Sequence, residues 1–224
     1  MKKIYFLISM FTIFSISTSL AQSQPTYGIR AGVSIADWRG NAVSSLGNLV
    51  DVTNGMVTTQ SRKGFYAGGY MNVPVTETFS FEPGMYFSQK GYTMKGDVEI
   101  TALKFLSPNA EVQVQSSYID VPLILKANLA RGLHLYAGPQ LSYLAHSNLH
   151  VDAGVLGFSL FQRNLDITDN FKKWDVGLTG GIAYQFDGGL NIQAGYDHGL
   201  SRMDANSNFR SYNRVVKIGV GFTF

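Results

Sequence analysis

Eight charged side chains stand at intervals in segments that are otherwise apolar or small: Arg30, Glu82, Lys90, Asp120, Lys126, Asp175, Asp197 and Lys217. Four are cations and four are carboxylates. Gathered in one interior, they could pair with one another and fill the space, or line a pore and select ions by their field. The other chemistry to look for is a nucleophile with a base and an orienting carboxylate. His146 is adjacent to Ser147, and His198 stands near Ser201. Neighbours on a strand point to opposite faces, and His198 and Ser201 also differ in parity, so neither pair is placed to pass a proton. No metal-ligand spacing, phosphate loop or nucleotide fingerprint occurs, so no catalytic residue, metal or cofactor is expected.

The elements that carry the charges read as strands. The chain has 24 Gly, 12 Tyr and 15 Phe and only 15% charged residues, a composition that suits many short strands. Gly and polar clusters divide it into eight alternating segments, near 27–38, 64–74, 79–92, 113–128, 133–148, 173–186, 190–202 and 212–224. Three connections are short: Pro74 to Thr78, Asn128 to Gly132 and Asp187 to Gly189. The other four, roughly 39–63, 93–112, 149–172 and 203–211, are long, and long and short alternate. An antiparallel up-and-down barrel with its tight turns at one end has this signature.

Sorting each strand by parity gives two faces. One carries Ile29, Val33, Phe65, Met85, Leu123, Leu141, Ile182, Ile192 and Ile218, none of them charged. The other carries the eight charges among Gly, Ser and Tyr. A soluble barrel would turn the apolar face inward, and a membrane barrel would turn it to lipid. A single Lys or Arg facing mid-bilayer lipid costs about 2–4 kcal/mol, which explains an uncharged face. Tyr27, Phe79, Phe81, Tyr184, Phe186, Phe222 and Phe224 also gather at the level of the short turns, as an interfacial aromatic girdle does. The expected fold is therefore all-β, an eight-stranded antiparallel up-and-down transmembrane β-barrel. Eight strands leave an interior that side chains fill, which favours a plug over a conducting pore.

The ends agree with export. Residues 1–21 have Lys2 and Lys3, an apolar run and Ser19-Leu20-Ala21, the pattern of a secretory signal cut after Ala21. Residues 22–224 then form one outer-membrane barrel domain. With 0 Cys there is neither a lipid-anchored N-terminus nor a disulfide framework. The formal charge of +3 falls when the two lysines are removed, and no basic cluster points to nucleic acid. The last strand, VVKIGVGFTF, closes on the first, since a bilayer tolerates no open sheet edge. The 93–112 connection keeps some alternation, which would extend its strands above the bilayer. The 149–172 connection carries GVLGFSLF (Gly154 to Phe161), which should either pack on the barrel mouth or meet a partner.

Several stretches resemble the outer-membrane β-barrel (PorT-like, porin-family) proteins of Bacteroidetes: GFYAGGYMNVPVTETFSFEPGMYFSQKG (Gly64 to Gly91), SYIDVPLILKANL (Ser117 to Leu129), LYAGPQLSYL (Leu135 to Leu144), KWDVGLTGGIAYQF (Lys173 to Phe186) and the closing Phe. The resemblance implies residence in outer-membrane lipid. It implies recognition by the barrel-assembly machinery through Phe224, with Phe222 two residues before it. It also implies a non-enzymatic role supporting protein secretion of the type IX kind, or envelope assembly, through loop and turn contacts. A small-solute channel is the alternative, and a lipid-modifying barrel enzyme the third reading.

Overall fold

The computed structural model describes residues 24–39, 57–97, 108–155, 158–201 and 212–224. Residues 1–21, on which the signal-peptide reading rests, lie outside them. The described residues form nine strands: β1 (Thr26–Arg39), β2 (Val57–Pro74), β3 (Phe79–Asp97), β4 (Pro108–Ala130), β5 (Leu133–Val155), β6 (Phe158–Asp166), β7 (Trp174–Gln185), β8 (Leu190–Gly199) and β9 (Tyr212–Thr223).

All pairings are antiparallel, and eight strands close a ring. β1 pairs with β2 on one side and β9 on the other, and β4 with β5 completes the circuit through β7 and β8. In the last register Ala31 faces Val220, and Gly28 faces Thr223. Closure satisfies the backbone without a free edge, the condition for crossing a bilayer.

The eight segments read from the sequence are the eight barrel strands, but several run further at the long-loop end. β3 and β4 stay paired out to Asp97↔Asn109. The ninth strand corrects the 149–172 connection, which is not a plain loop. β5 continues to Val155, and β6 folds back on it from Asn148↔Asp166 to Val155↔Phe158. Among the described residues β6 pairs with β5 alone, and it takes no part in closing the barrel. Its Leu149↔Leu165 and Val151↔Arg163 pairings extend the period-two pattern through residues whose charge and Gly content read as a loop. Of GVLGFSLF, residues 156–157 fall outside the described residues, as do the side chains of the rest.

At the other end the turns are tight. Between β7 and β8 the chain reverses through Gly188 and Gly189, at φ 98° and 97°, a region where a Cβ would be strained.

The faces sort by parity along each strand. Ile29, Val33, Leu123, Leu178, Ile182, Ile218 and Val220 point outward and are exposed, whereas Arg30, Ser34, Glu82, Tyr118, Asp120 and Lys217 point inward and are buried. The charged face is therefore the interior. Its bulk comes from tyrosines lying over glycines on facing strands. A Cβ at Gly219 would overlap the Tyr66 hydroxyl, and one at Gly195 the Tyr136 hydroxyl. Tyr66 and Tyr86 meet edge to face at 6.0 Å. At the short-turn rim Tyr27, Phe79, Phe81, Tyr184, Phe186, Phe222 and Phe224 are all exposed outward, with Tyr184 and Phe186 in edge contact at 4.8 Å. Trp174 stacks edge-on with Tyr143 at 4.9 Å at the opposite rim.

Candidate functional site

The inward charges form two groups, separated along the barrel axis. Nearest the short turns, Arg30 of β1 donates from Nη1 to Glu82 Oε1 at 2.8 Å and to the Tyr86 hydroxyl at 3.0 Å. Its guanidinium also lies 4.1 Å from the centre of the Tyr70 ring, a cation–π contact. Lys126 of β4 donates to the other Glu82 oxygen at 2.9 Å. One carboxylate thus serves two cations.

Above it, Asp120 of β4 accepts from Lys90 Nζ at 2.8 Å and from the Ser88 hydroxyl at 2.6 Å. Lys217 of β9 pairs with Asp197 of β8 and stands 3.7 Å from Asp120, so it joins the two carboxylates. Thr179 donates to Asp197 at 2.8 Å, and Lys90 also reaches Ser142 at 3.2 Å. These buried charges are paired and further hydrogen-bonded, which is what makes their burial tolerable. Asp175 departs from the set. No described cation forms an ion pair with it; Asn213 donates to one of its oxygens at 2.9 Å, and the other oxygen is buried without a partner.

Between the two groups the space is small. The mid-barrel cavity bordered by Arg30, Tyr66, Tyr86, Tyr136, Gln140 and Lys217 measures about 20 Å³, room for one water. Parity finds which residues face inward. It does not find that tyrosines supply most of the filling, nor that Asn213 replaces a lysine at Asp175.

The histidines of the long-loop rim are placed without a catalytic geometry. Ser147 is buried and bonds the Ser116 hydroxyl at 2.8 Å, while His146 points out. His146 Nδ1 is 3.3 Å from the Thr168 hydroxyl and 3.6 Å from Asp166. Both contacts use the same ring nitrogen, so the imidazole cannot take a proton from Thr168 while Asp166 orients its other nitrogen. The Ser201 hydroxyl accepts from the Val176 amide at 3.0 Å, and His198 lies outward beside Tyr196. Among the described residues no cluster of three His, Cys, Asp or Glu could hold a metal.

On the outer surface of β3 the apolar band gives way to polar residues near the long-loop end. Arg62 lies across Gly91 and donates to Gln113 at 3.0 Å and Gln115 at 2.8 Å. β3 and β4 run on beyond this level.

A closed antiparallel barrel with an apolar outer band, aromatic rims and a charged, filled interior is an integral outer-membrane β-barrel protein. The chain belongs to the outer membrane protein beta-barrel domain family, whose model matches residues 20–205. Among curated proteins no relative matches. Similar solved structures include Ail, the attachment invasion locus protein of Yersinia pestis, in complex with the heparin analogue sucrose octasulfate (12% identity, 90% of this chain and 100% of that one, TM-score 0.45). Neisserial surface protein A is another (14% identity, 90% and 100%, TM-score 0.43). A third is the outer membrane protein OprG of Pseudomonas aeruginosa (10% identity, 89% and 95%, TM-score 0.40). In outer-membrane barrels short turns face the periplasm and long loops the exterior, which puts the Arg30–Glu82–Lys126 group in the periplasmic half of the lumen and the Lys90–Asp120–Lys217–Asp197 group in the outer half.

Proposed function

We propose that this barrel is closed to solutes, carries no enzymatic activity, and acts through contacts of its loops and turns with proteins of secretion or envelope assembly. The observation that carries the reading is the filled lumen. Two layers of paired charge and a ring of tyrosines leave only about 20 Å³ at mid-barrel. In this reading Arg30, Glu82, Lys90, Asp120, Lys126, Asp197 and Lys217 serve as a plug, with Asp175 at its outer end.

The strands that rise past the polar level of Arg62 then offer a paired-strand surface to partners outside. The resemblance to PorT-like barrels of Bacteroidetes supports secretion as the process served. Phe222 and Phe224 act in it as the assembly signal read by the barrel-assembly machinery, and residues 1–21 as the export signal. The reading is tested by a photo-crosslinking residue placed at Asn164 on the outer rim, and separately at Glu77 in the periplasmic turn. Adducts with secretion or envelope-assembly components support it. Uncrosslinked protein together with stable conductance steps in planar bilayers would replace it by the channel.

A further inference from the structure

At the periplasmic end the lumen opens into a cavity of about 570 Å³, lined by Lys126, Ser80, Asn128, His134, Asn72 and Gln185 among others. We propose that this vestibule binds a small oxyanion, of the carboxylate or phosphate class, seated on Lys126 and Ser80.

The charge count at its floor carries the inference. Glu82 has two oxygens; Arg30 takes one and Lys126 the other. Two buried cations share one carboxylate, so this lower group holds one cation more than it has carboxylates. An unmatched charge under a low-dielectric wall is costly unless a counter-charge reaches it. Arg30 is sealed beneath, between Glu82, Tyr70 and Tyr86. Lys126 is the cation that lines the open cavity, and only one of its three N–H donors is used, by Glu82.

A second donor lies beside it. Ser80 is the direct cross-strand neighbour of Lys126 in the β3–β4 register and faces the same way. Its side chain is buried, its hydroxyl is bonded to no described residue, and it lines the same cavity. A cation with free N–H groups beside a free hydroxyl is a cradle for an oxyanion, because charge-assisted hydrogen bonds are shorter and stronger than neutral ones.

Other groups face the cavity. His134 contacts the Asn128 side chain through Nδ1 at 2.6 Å, and the Tyr70 hydroxyl is occupied by Thr223 and Asn191. Glu77 and Phe224 sit on the rim, and the Glu77 carboxylate opposes an anion. Glu77 is exposed to water, where salt screens it, whereas Lys126 is buried at the floor. The floor therefore decides the sign.

The test is a phosphate titration of the folded full chain in nonionic detergent, at fixed ionic strength with chloride as the balancing anion, followed by amide NMR. Saturable shifts confined to Ser80, Lys126, Asn128 and their neighbours are expected. Lys126→Gln should weaken the apparent affinity roughly tenfold or more, as loss of a charged hydrogen bond does. Ser80→Ala, which keeps the ion pairs, should weaken it by a smaller factor, and Ser142→Ala in the outer group should leave it unchanged. Acetate in place of phosphate tests the carboxylate member of the class. Vesicles carrying phosphatidylglycerol, without free phosphate, separate a headgroup from a free anion as the source. If none of the three probes gives saturable shifts, or if the Lys126→Gln and Ser80→Ala barrels respond as the parent does, the site does not exist.

Discussion

Asp120 of β4 and Lys90 of β3 meet at 2.8 Å, with neither side chain more than 3% exposed. The pair is completed by Ser88 and Ser142, and Lys217 approaches from the far side of the sheet circuit, on β9. Removing the carboxylate strands Lys90 in the interior and leaves Lys217 with Asp197 alone. Asp120→Ala should lower the unfolding free energy by about 3–5 kcal/mol, the cost of an orphaned buried charge. Urea unfolding of the refolded barrel in lipid measures this. An unchanged midpoint would place Asp120 outside the lumen.

The packing of tyrosine over glycine gives a second expectation. Gly195→Ala pushes a methyl group into the Tyr136 hydroxyl and should cost about 1–3 kcal/mol, the range for overpacking. Tyr136→Phe removes the obstructing oxygen and gives up only a long bond, at 3.4 Å, to the Ala194 carbonyl. In that background the Gly195→Ala penalty should shrink. A double-mutant cycle with no coupling between the two positions would contradict the arrangement.

The outer face should report membrane depth. Ile218 is exposed and opposite Val33 near the middle of the β1–β9 register, while Leu190 is exposed at the short-turn start of β8. Ile218→Lys should cost about 2–4 kcal/mol in lipid and Leu190→Lys about 0–1 kcal/mol. Equal costs at the two positions would mean that the apolar band does not face the bilayer.

At the extracellular rim, Thr168 donates to Asp166 from both its hydroxyl, at 2.6 Å, and its amide, at 2.9 Å. These bonds favour the charged form and hold the Asp166 carboxyl below the usual aspartate range. A depressed carboxyl stabilises the turn above its unfolded pKa, and that contribution is lost as pH falls through the folded value. A carboxyl NMR titration should find Asp166 titrating low, and Thr168→Val should return it toward the ordinary value. Titration at the ordinary value in the parent chain would remove the bond.

Much of this was legible in the residues themselves. Period-two alternation separates Ile29 from Arg30 and Ile218 from Lys217 without reference to any partner strand. The short turns at Gly132 and at Gly188-Gly189 give the up-and-down order. Which lysine meets which carboxylate was not legible, because it depends on the stagger between strands and on closure: Lys217 reaches Asp197 on β8 and Asp120 on β4 across the lumen. Asp175 reads like the other carboxylates in one dimension, yet three dimensions give it Asn213 in place of a cation. β6 was hidden because its only partner, the end of β5, lies beyond the apolar band, where no lipid-facing alternation marks a strand.

The central claim is that a closed barrel is plugged at mid-height by buried charges and tyrosines, and conductance in planar bilayers tests it most directly. Folded protein, verified by its heat-dependent gel mobility, should give no stable current steps across the pH range in which the interior pairs stay intact. A mid-barrel void of about 20 Å³ passes no hydrated ion. Reproducible steps, altered in ion selectivity by Glu82→Gln or Lys217→Gln, would show an open lumen and contradict the account.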